Sequence, residues 1–436
     1  MPQPDEPSAV QPPCDGEAFC MAPWVHLAVA ANGVVTPCCE AKGNFGHTGR
    51  QTADEIWFGN EFQEFRSKLL RDEPDPRCAK CYEVEQTGGS SLRQAFNARF
   101  AHHRARATPA APPPPVSLDV RFSNLCNFSC RMCWHGSSSK WFADARALGW
   151  TVGPTALITA WPSKEEGALA ISPLLAEVEG IYWAGGEPLL MEEHYAILEA
   201  LLAAGRNDVI LRYNSNLSEL HAGKFDILAL WQRFRSVELQ ISIDGTSERG
   251  ELIRHGLSWP RLLANIAEVK NQCPHVQISF GITVSVLNVF VLDELHRNLT
   301  ALDCCGPDDF AFHPLQEAPH YNIQILPPHL KLEAARRLRA YARTLPDATS
   351  LPRFNSVQRQ FQHVVDHMMQ ADRRDRISAF KDVTVTLDRL RGEDTATVCP
   401  ELAPLLRGPM LRAIARRTKS LFHRIAARVS LASIGR

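Results

Sequence analysis

An α/β fold built on a parallel sheet is what this sequence predicts, and three observations predict it. Strand-like and helix-like runs alternate through six repeats between Val116 and His313, the pattern of strands joined by covering helices. The strand-like runs end in glycine-rich or short polar turns, where barrels of parallel strands carry their working residues. Composition is that of a globular chain able to bury a core, with 45% hydrophobic and 22% charged residues. At 436 residues the chain is long enough for more than one domain at roughly 150 residues each.

Residues 1–17 are rich in proline and acid and carry little that packs, so they read as a disordered lead with no signal peptide. Cys14 in that lead is a bystander. The pattern then changes over residues 18–100. Trp24–Val29 and Val34–Thr36 read as two strands joined by Asn32-Gly33, a hairpin signal. The hairpin places Cys20, before the first strand, near Cys38 and Cys39, after the second. A helix over Asp54–Leu70, with Ile56, Phe62, Phe65 and Leu69 at helical spacing, leads to Cys78-Ala79-Lys80-Cys81, a knuckle that offers two thiolates to one metal. Cys20, Cys38, Cys78 and Cys81 make a four-ligand set in which Cys39 could replace Cys38. By spacing alone the set serves zinc as well as iron–sulfur. Residues 101–115 turn basic, then alanine- and proline-rich, ending in Pro112–Pro115; extended polyproline marks a linker there.

The α/β region spans 116–320. Its predicted strands are Val116–Phe122, Gly180–Trp183, Asp208–Tyr213, Val237–Ile243, Val276–Val286 and Phe310–His313. Helices are predicted over Ile171–Val178, Glu192–Ala204, Glu219–Arg233, Trp259–Asn271 and Leu292–Leu302. Residues 321–436 are helical, with amphipathic helices over 334–344 and 355–374. The tail from Met410 sets Leu411, Ile414, Leu421, Ile425 and Val429 on one stripe among arginines. Such a basic helix fits an anionic membrane surface, an acidic partner, or docking onto the chain itself.

The charge balance, a net −1, gives no electrostatic case for nucleic acid as a partner. Thirteen cysteines in close-spaced groups point to metal or cluster ligation in a reducing cytoplasm, not to a secreted disulfide framework. No run reaches the ~20 apolar residues of a membrane-spanning helix.

Cys126, Cys130 and Cys133 follow the first strand as C-x3-C-x2-C. Three thiolates can hold three corners of a 4Fe–4S cube, which ordinarily takes four cysteines, so one iron is left for another ligand. Zinc or a redox thiol group is the alternative from these three residues alone. Gly185-Gly186-Glu187-Pro188 follows the second strand, where paired glycines let the backbone approach a ligand and proline stiffens the exit. With these two motifs the chain resembles the radical S-adenosylmethionine (SAM) enzymes, although Met132 stands where their signature commonly has an aromatic residue.

The resemblance implies an open partial (β/α)6 TIM barrel whose 4Fe–4S cluster is held by Cys126, Cys130 and Cys133, with SAM on the free iron. Gly185, Gly186, Glu187 and Pro188 would engage the SAM amino group. Asn214 and Asn216, ending the third strand, are further candidates for SAM. Ser242-Ile243-Asp244-Gly245 followed by Arg254 resembles an arrangement in SPASM-type members, where the serine and arginine bind the SAM carboxylate. Val284–Asn288 would flank the adenine. The set Cys20, Cys38, Cys78 and Cys81 resembles the first half of a SPASM/twitch extension, here placed before the barrel and without a second cysteine run. It implies one auxiliary 4Fe–4S cluster. The activity so implied is reductive cleavage of SAM and hydrogen abstraction from a substrate, with flavodoxin or ferredoxin as reductant. A peptide or protein residue is the first substrate class, to be oxidised or cross-linked. Dehydrogenation or epimerisation of a carbohydrate-type molecule is the second, and a non-catalytic zinc module is the contrasting class. His313 reads as a substrate contact or a buried histidine. Adjacent Cys304 and Cys305 should diverge, and Cys273 and Cys399 read as structural.

Overall fold

The computed structural model describes residues 16–86, 91–109, 112–346 and 356–407. The expected disordered lead (through residue 15) and the basic tail from Met410 lie outside them. Eleven strands are present among the described residues: β1 His26–Val29, β2 Val34–Thr36, β3 Gly46–His47, β4 Ser117–Val120, β5 Gly180–Trp183, β6 Ile210–Ser215, β7 His221–Ala222, β8 Phe225–Asp226, β9 Val237–Ser242, β10 Gln277–Val284 and β11 Phe310–Pro314. Nine form one sheet in the order β11-β10-β9-β6-β5-β4-β1-β2-β3, and β7 pairs only with β8. From β4 to β11 the neighbours follow chain order and run parallel. Sequential parallel strands with intervening helices fit a partial TIM barrel. The alternation of β6 and β9 shows its two faces: Leu211, Tyr213, Leu239 and Ile241 are buried, while Arg212, Asn214, Gln240 and Ser242 are half-exposed. Period-2 alternation is what a strand gives when only one side packs against helices.

The sheet runs across the proline-rich tract. β1 pairs in parallel with β4, His26 opposite Ser117 through Val29 opposite Val120. The hairpin of the cysteine-rich segment therefore continues the barrel sheet, and one hydrophobic cluster spans Ala18 to Leu406. The tract marks a change of composition, but the sheet and the core both cross it. At the other edge, Gln360 on the helix Val357–Gln370 covers β11: its side chain accepts from Phe312 N at 2.9 Å and donates to Phe310 O at 2.7 Å. A covered edge no longer offers unpaired backbone groups.

Three helix expectations and one strand expectation are corrected. The helix expected over Asp54–Leu70 is two, Ala53–Trp57 and Asn60–Leu70, because Gly59 breaks it and starts the second. The helix expected over Ile171–Val178 begins earlier, at Lys164, and gives way at Ser172 to a 3-10 turn holding Pro173, which has no N–H to continue an α-helix. The Glu219–Arg233 segment is the β7–β8 hairpin followed by a short helix Ile227–Trp231; Gly223, at φ +60°, makes the turn. The first hairpin strand starts at His26, since Ala22–Val25 is a helical turn with Pro23 near its start. The C-terminal extension is helical as expected and contains Pro328–Ala342, Val357–Gln370 and a third helix whose bounds were not predicted, Ile377–Arg391.

Candidate metal centres at the barrel mouth

β4 feeds directly into the loop that carries Cys126, Cys130 and Cys133. Cys126 and Cys130 are buried and Cys133 is half-buried. The loop is pinned by backbone hydrogen bonds to the segment after the helix Ser247–Ile253: Ser129 N donates to His255 O at 2.9 Å and Arg131 N to Ile253 O at 2.8 Å. Gly256, at φ +109°, permits this approach, because a Cβ there would lie 2.8 Å from the Phe128 ring. From the other side, the Trp141 indole donates to Cys130 O at 2.7 Å. Inside the loop, Phe128 N donates to Cys126 Sγ at 3.4 Å. Desolvation pushes the Cys126 thiol up to about 12, so an isolated thiol there stays protonated. Cys130 is held below the usual thiol range by the hydrogen bond from Cys133, with Arg254 adding to the effect.

The glycine pair lies across from this loop. Gly185 and Gly186 sit at φ +79° and +55°, a region other residues avoid. A Cβ on Gly186 would stand 2.2 Å from Leu125 O, so the chain here leaves no room for a side chain. Glu187 N donates to Leu125 O at 2.7 Å. The Glu187 side chain departs from the expectation that it faces SAM. Only 1% exposed, its carboxylate accepts from Ser215 Oγ and Asn216 N, both at 2.7 Å, and from Leu189 N at 3.2 Å. Burial raises its pKa to about 7 against the pull of these donors. Glu187 thus ties the glycine turn to the end of β6, leaving backbone to line the cleft. Pro188 is buried in the 3-10 turn that follows.

Asn216 is also engaged within the protein. Its Nδ2 donates to Asn127 Oδ1 at 3.0 Å and its Oδ1 accepts from Ser218 N at 2.9 Å, binding the β6 end to the cysteine loop. Asn214 and Ser242 lie on the open faces of β6 and β9. Asp244 and Arg254 form a buried ion pair, Oδ2 to Nε 2.7 Å, while Asp244 Oδ1 accepts from Thr283 N at 2.7 Å. The second arm of Arg254 reaches Cys130 Sγ at 3.9 Å. Asn288, missed as an individual residue, bonds Asp244 O and Thr283 O at 3.0 and 2.9 Å and so joins the ends of β9 and β10.

The second group of cysteines flanks the β1–β2 hairpin and continues on the knuckle. Cys20, Cys38 and Cys81 are buried and Cys78 half-buried. Burial pushes Cys20 and Cys78 up to about 12 and raises Cys38 and Cys81. Cys20 feels Cys78 and Cys81, and Cys38 feels Cys20. Cys39 is exposed and lies in the field of Asp119 and Arg121 on the barrel side. Arg77 stiffens the knuckle by pairing with Asp75 at 2.9 Å and covering Phe45 and Phe65 at 4.5 and 4.8 Å.

His313 lies next to the last residue of β11, exposed, in the field of Lys80 and Glu40. Cys304 and Cys305 are both half-buried, side by side in a turn.

Tetrahedral zinc with bonds of about 2.3 Å needs sulfurs roughly 3.8 Å apart. Among the described residues no three cysteine sulfurs lie within 4.8 Å of one another; the one set of three donors that close is His102, His103 and Glu179, away from the cysteines. Two groups of soft thiolates beside parallel-strand ends suit a metal or iron–sulfur centre on an α/β barrel.

Comparison with known proteins specifies the class. A radical SAM superfamily model matches residues 120–286, and the model of the SPASM iron–sulfur cluster-binding domain matches residues 20–82. The chain thus carries a radical SAM core and a SPASM iron–sulfur cluster-binding domain. Its core binds a 4Fe–4S cluster and SAM, and its SPASM domain binds auxiliary iron–sulfur. No curated protein matches the chain in sequence. Similar solved structures include anSMEcpe with bound AdoMet, at 16% identity, TM-score 0.38, 53% of this chain and 60% of that one. Another is Streptococcus suis SuiB, at 12% identity, TM-score 0.34, with 68% and 62% covered. These likenesses are loose, the chain spans about 60% of the length of the first, and the assignment stands on the two family matches. Among the described residues no helix is long and apolar enough to cross a membrane.

Proposed function

We propose that this enzyme cleaves SAM reductively and abstracts hydrogen from a peptide or protein residue, which it oxidises or cross-links. The observation that carries the reading is the cysteine triad on one pinned loop, facing a glycine turn too tight for any side chain. In this reading Cys126, Cys130 and Cys133 hold the first cluster, and Cys20, Cys38, Cys78 and Cys81 hold the second. When bound, cluster and SAM supply a 5′-deoxyadenosyl radical that abstracts hydrogen, and the second centre accepts the electron left on the substrate. Four protein ligands on that second centre leave it no open iron, which favours electron transfer over substrate binding.

The chain's own residues do the positioning. Asp244 holds the Arg254 guanidinium beside Cys130, where its charge can meet a SAM carboxylate as well as the sulfur. Gly185 and Gly186 present backbone to the SAM amino group. Glu187 fixes that backbone by its bonds to Ser215 and Asn216. Asn214 and Ser242 line the open face, and Val284–Asn288 would border the adenine. A substrate enters the mouth between His313 and the knuckle, so that it lies between the two centres. The cysteine groupings favour a reducing cytoplasm, with a flavodoxin or ferredoxin as electron source.

Anaerobic reconstitution tests this. The loaded protein should be brown with about eight iron and eight sulfide, two cubanes of four, and dithionite with SAM should yield 5′-deoxyadenosine. A colourless protein holding two zinc ions rejects the proposal.

A further inference from the structure

The C-terminal extension lies outside both family matches, yet it converges on the SAM-site loop. Arg131, between Cys130 and Met132, is fully buried. Its guanidinium donates to Leu252 O at 3.2 Å, to Asp388 Oδ1 at 2.5 Å and to Glu393 Oε2. Asp388 sits on the helix Ile377–Arg391, and Glu393 follows Gly392, whose φ of +68° ends that helix. Glu393 also accepts from His255 Nδ1 at 2.6 Å, so one carboxylate grips both neighbours of the sulfur site, residue 131 on the loop and residue 255 beside Arg254. Thr395 holds Asp388 in place, Oγ1 to Oδ1 2.7 Å and N to Oδ2 3.0 Å.

A second contact comes from Arg391. It pairs with Asp144 at 2.7 Å and lies over the Trp141 ring at 5.2 Å, and that indole donates to Cys130 O. The charge of Arg391 also reaches the Cys130 sulfur. A third lies further out: Arg249 pairs with Glu401 at 2.6 Å and donates to Val398 O at 3.0 Å. Buried charged contacts of this kind cost desolvation and add little net stability on their own. Two of them directed at one loop, with a third on the helix that pins it, call for a role in setting that loop.

We infer that residues 377–401 form a strap that positions the SAM-site cysteine loop and sets the electrostatic environment of the centre it holds, with Arg131, Arg391 and Glu393 as positioning residues. The inference rests on the reading that Cys126, Cys130 and Cys133 bind the SAM-site cluster. Outer groups that hydrogen bond to or carry charge near a metal site tune it, and the strap delivers charges of both signs. Reduction adds negative charge, so removing a nearby carboxylate favours it and removing a nearby guanidinium opposes it.

That sign pattern is the test. Fully reconstituted wild type, Glu393→Gln and Arg391→Gln are compared by anaerobic redox titration followed by electron paramagnetic resonance. The auxiliary centre serves as an internal reference. The SAM-site midpoint should move upward in Glu393→Gln and downward in Arg391→Gln. The auxiliary signal should stay in place, and the change in the SAM-site signal on adding SAM should differ from wild type in both variants. Arg131→Lys, which keeps the charge but loses the fork, should lie closer to wild type than Arg131→Met. If an Arg131 variant does not fold, the Glu393 and Arg391 pair still decides. Identical midpoints and SAM-induced signals in wild type and both Gln variants overturn the strap, as do shifts of the same sign in both. Absence of any SAM-responsive cluster in wild type instead rejects the cysteine assignment on which it rests.

Discussion

The two cysteine groups solve opposite problems. The triad takes its sulfurs from eight consecutive residues, and its geometry comes from outside: hydrogen bonds to residues 253–255, the Arg254 arm and the Trp141 indole. The quartet takes its sulfurs from three separate segments, and its geometry comes from the folded shape, a hairpin at one side and a knuckle braced by Arg77 at the other. A loop held from outside can leave one coordination position to a ligand. A set closed by the fold has no such vacancy. The difference teaches that the incomplete site is the one that needs a charged surround, and the structure places Asp244 and Arg254 there.

The largest effect follows from that asymmetry. Cys130→Ala should abolish 5′-deoxyadenosine formation and leave about four iron, those of the second centre. Cys81→Ala should also leave about four iron, but with SAM cleavage retained and substrate turnover lost. Iron analysis with product detection by chromatography separates them. Equal loss of SAM cleavage in both would show that the two centres do not divide the work. Gly186→Ala comes next. Its Cβ would press on Leu125 O at 2.2 Å from a left-handed backbone. The turn must shift, at a cost of order 1–3 kcal/mol. SAM affinity measured by calorimetry should fall at least tenfold while iron content holds. An unchanged affinity would mean that the glycine turn does not line the SAM site.

Much of this was legible in the sequence, and the misses share a cause. The cysteine spacings and the six parallel strands are local patterns, and each strand lies within a few residues of its expected span. Asn32-Gly33 does make the first turn, with Gly33 at φ +82°. Long-range pairing was not legible. The parallel match of β1 with β4 joins residues about ninety apart, and the prolines between them signalled separation. The role of Glu187 was missed because a motif shows which residues are present but not which way a side chain turns. Its partners Ser215 and Asn216 lie a strand away. Arg131 gave no signal at all, since its carboxylate partners Asp388 and Glu393 stand more than 250 residues further on.

The smallest effect probes the seam between the two groups. His26 on β1 is buried, packs edge-on against Phe96 at 4.8 Å and meets Ser117 Oγ on β4 at 2.8 Å. Burial lowers its pKa from 6.5 to about 3. The folded chain therefore keeps it neutral while the unfolded chain takes up a proton below 6.5. Stability falls as pH drops through the window from 6.5 toward 3, by roughly 1.4 kcal/mol per pH unit from this group. His26→Gln should retain the bond to Ser117 and flatten that slope by the same amount, read from urea unfolding between pH 6.5 and 5. Because the shared sheet runs through this residue, wild type should unfold in one transition over that range. Two separate transitions would show the cysteine-rich segment to be independent of the barrel, and the parallel pairing of β1 with β4 would then couple the two centres only weakly.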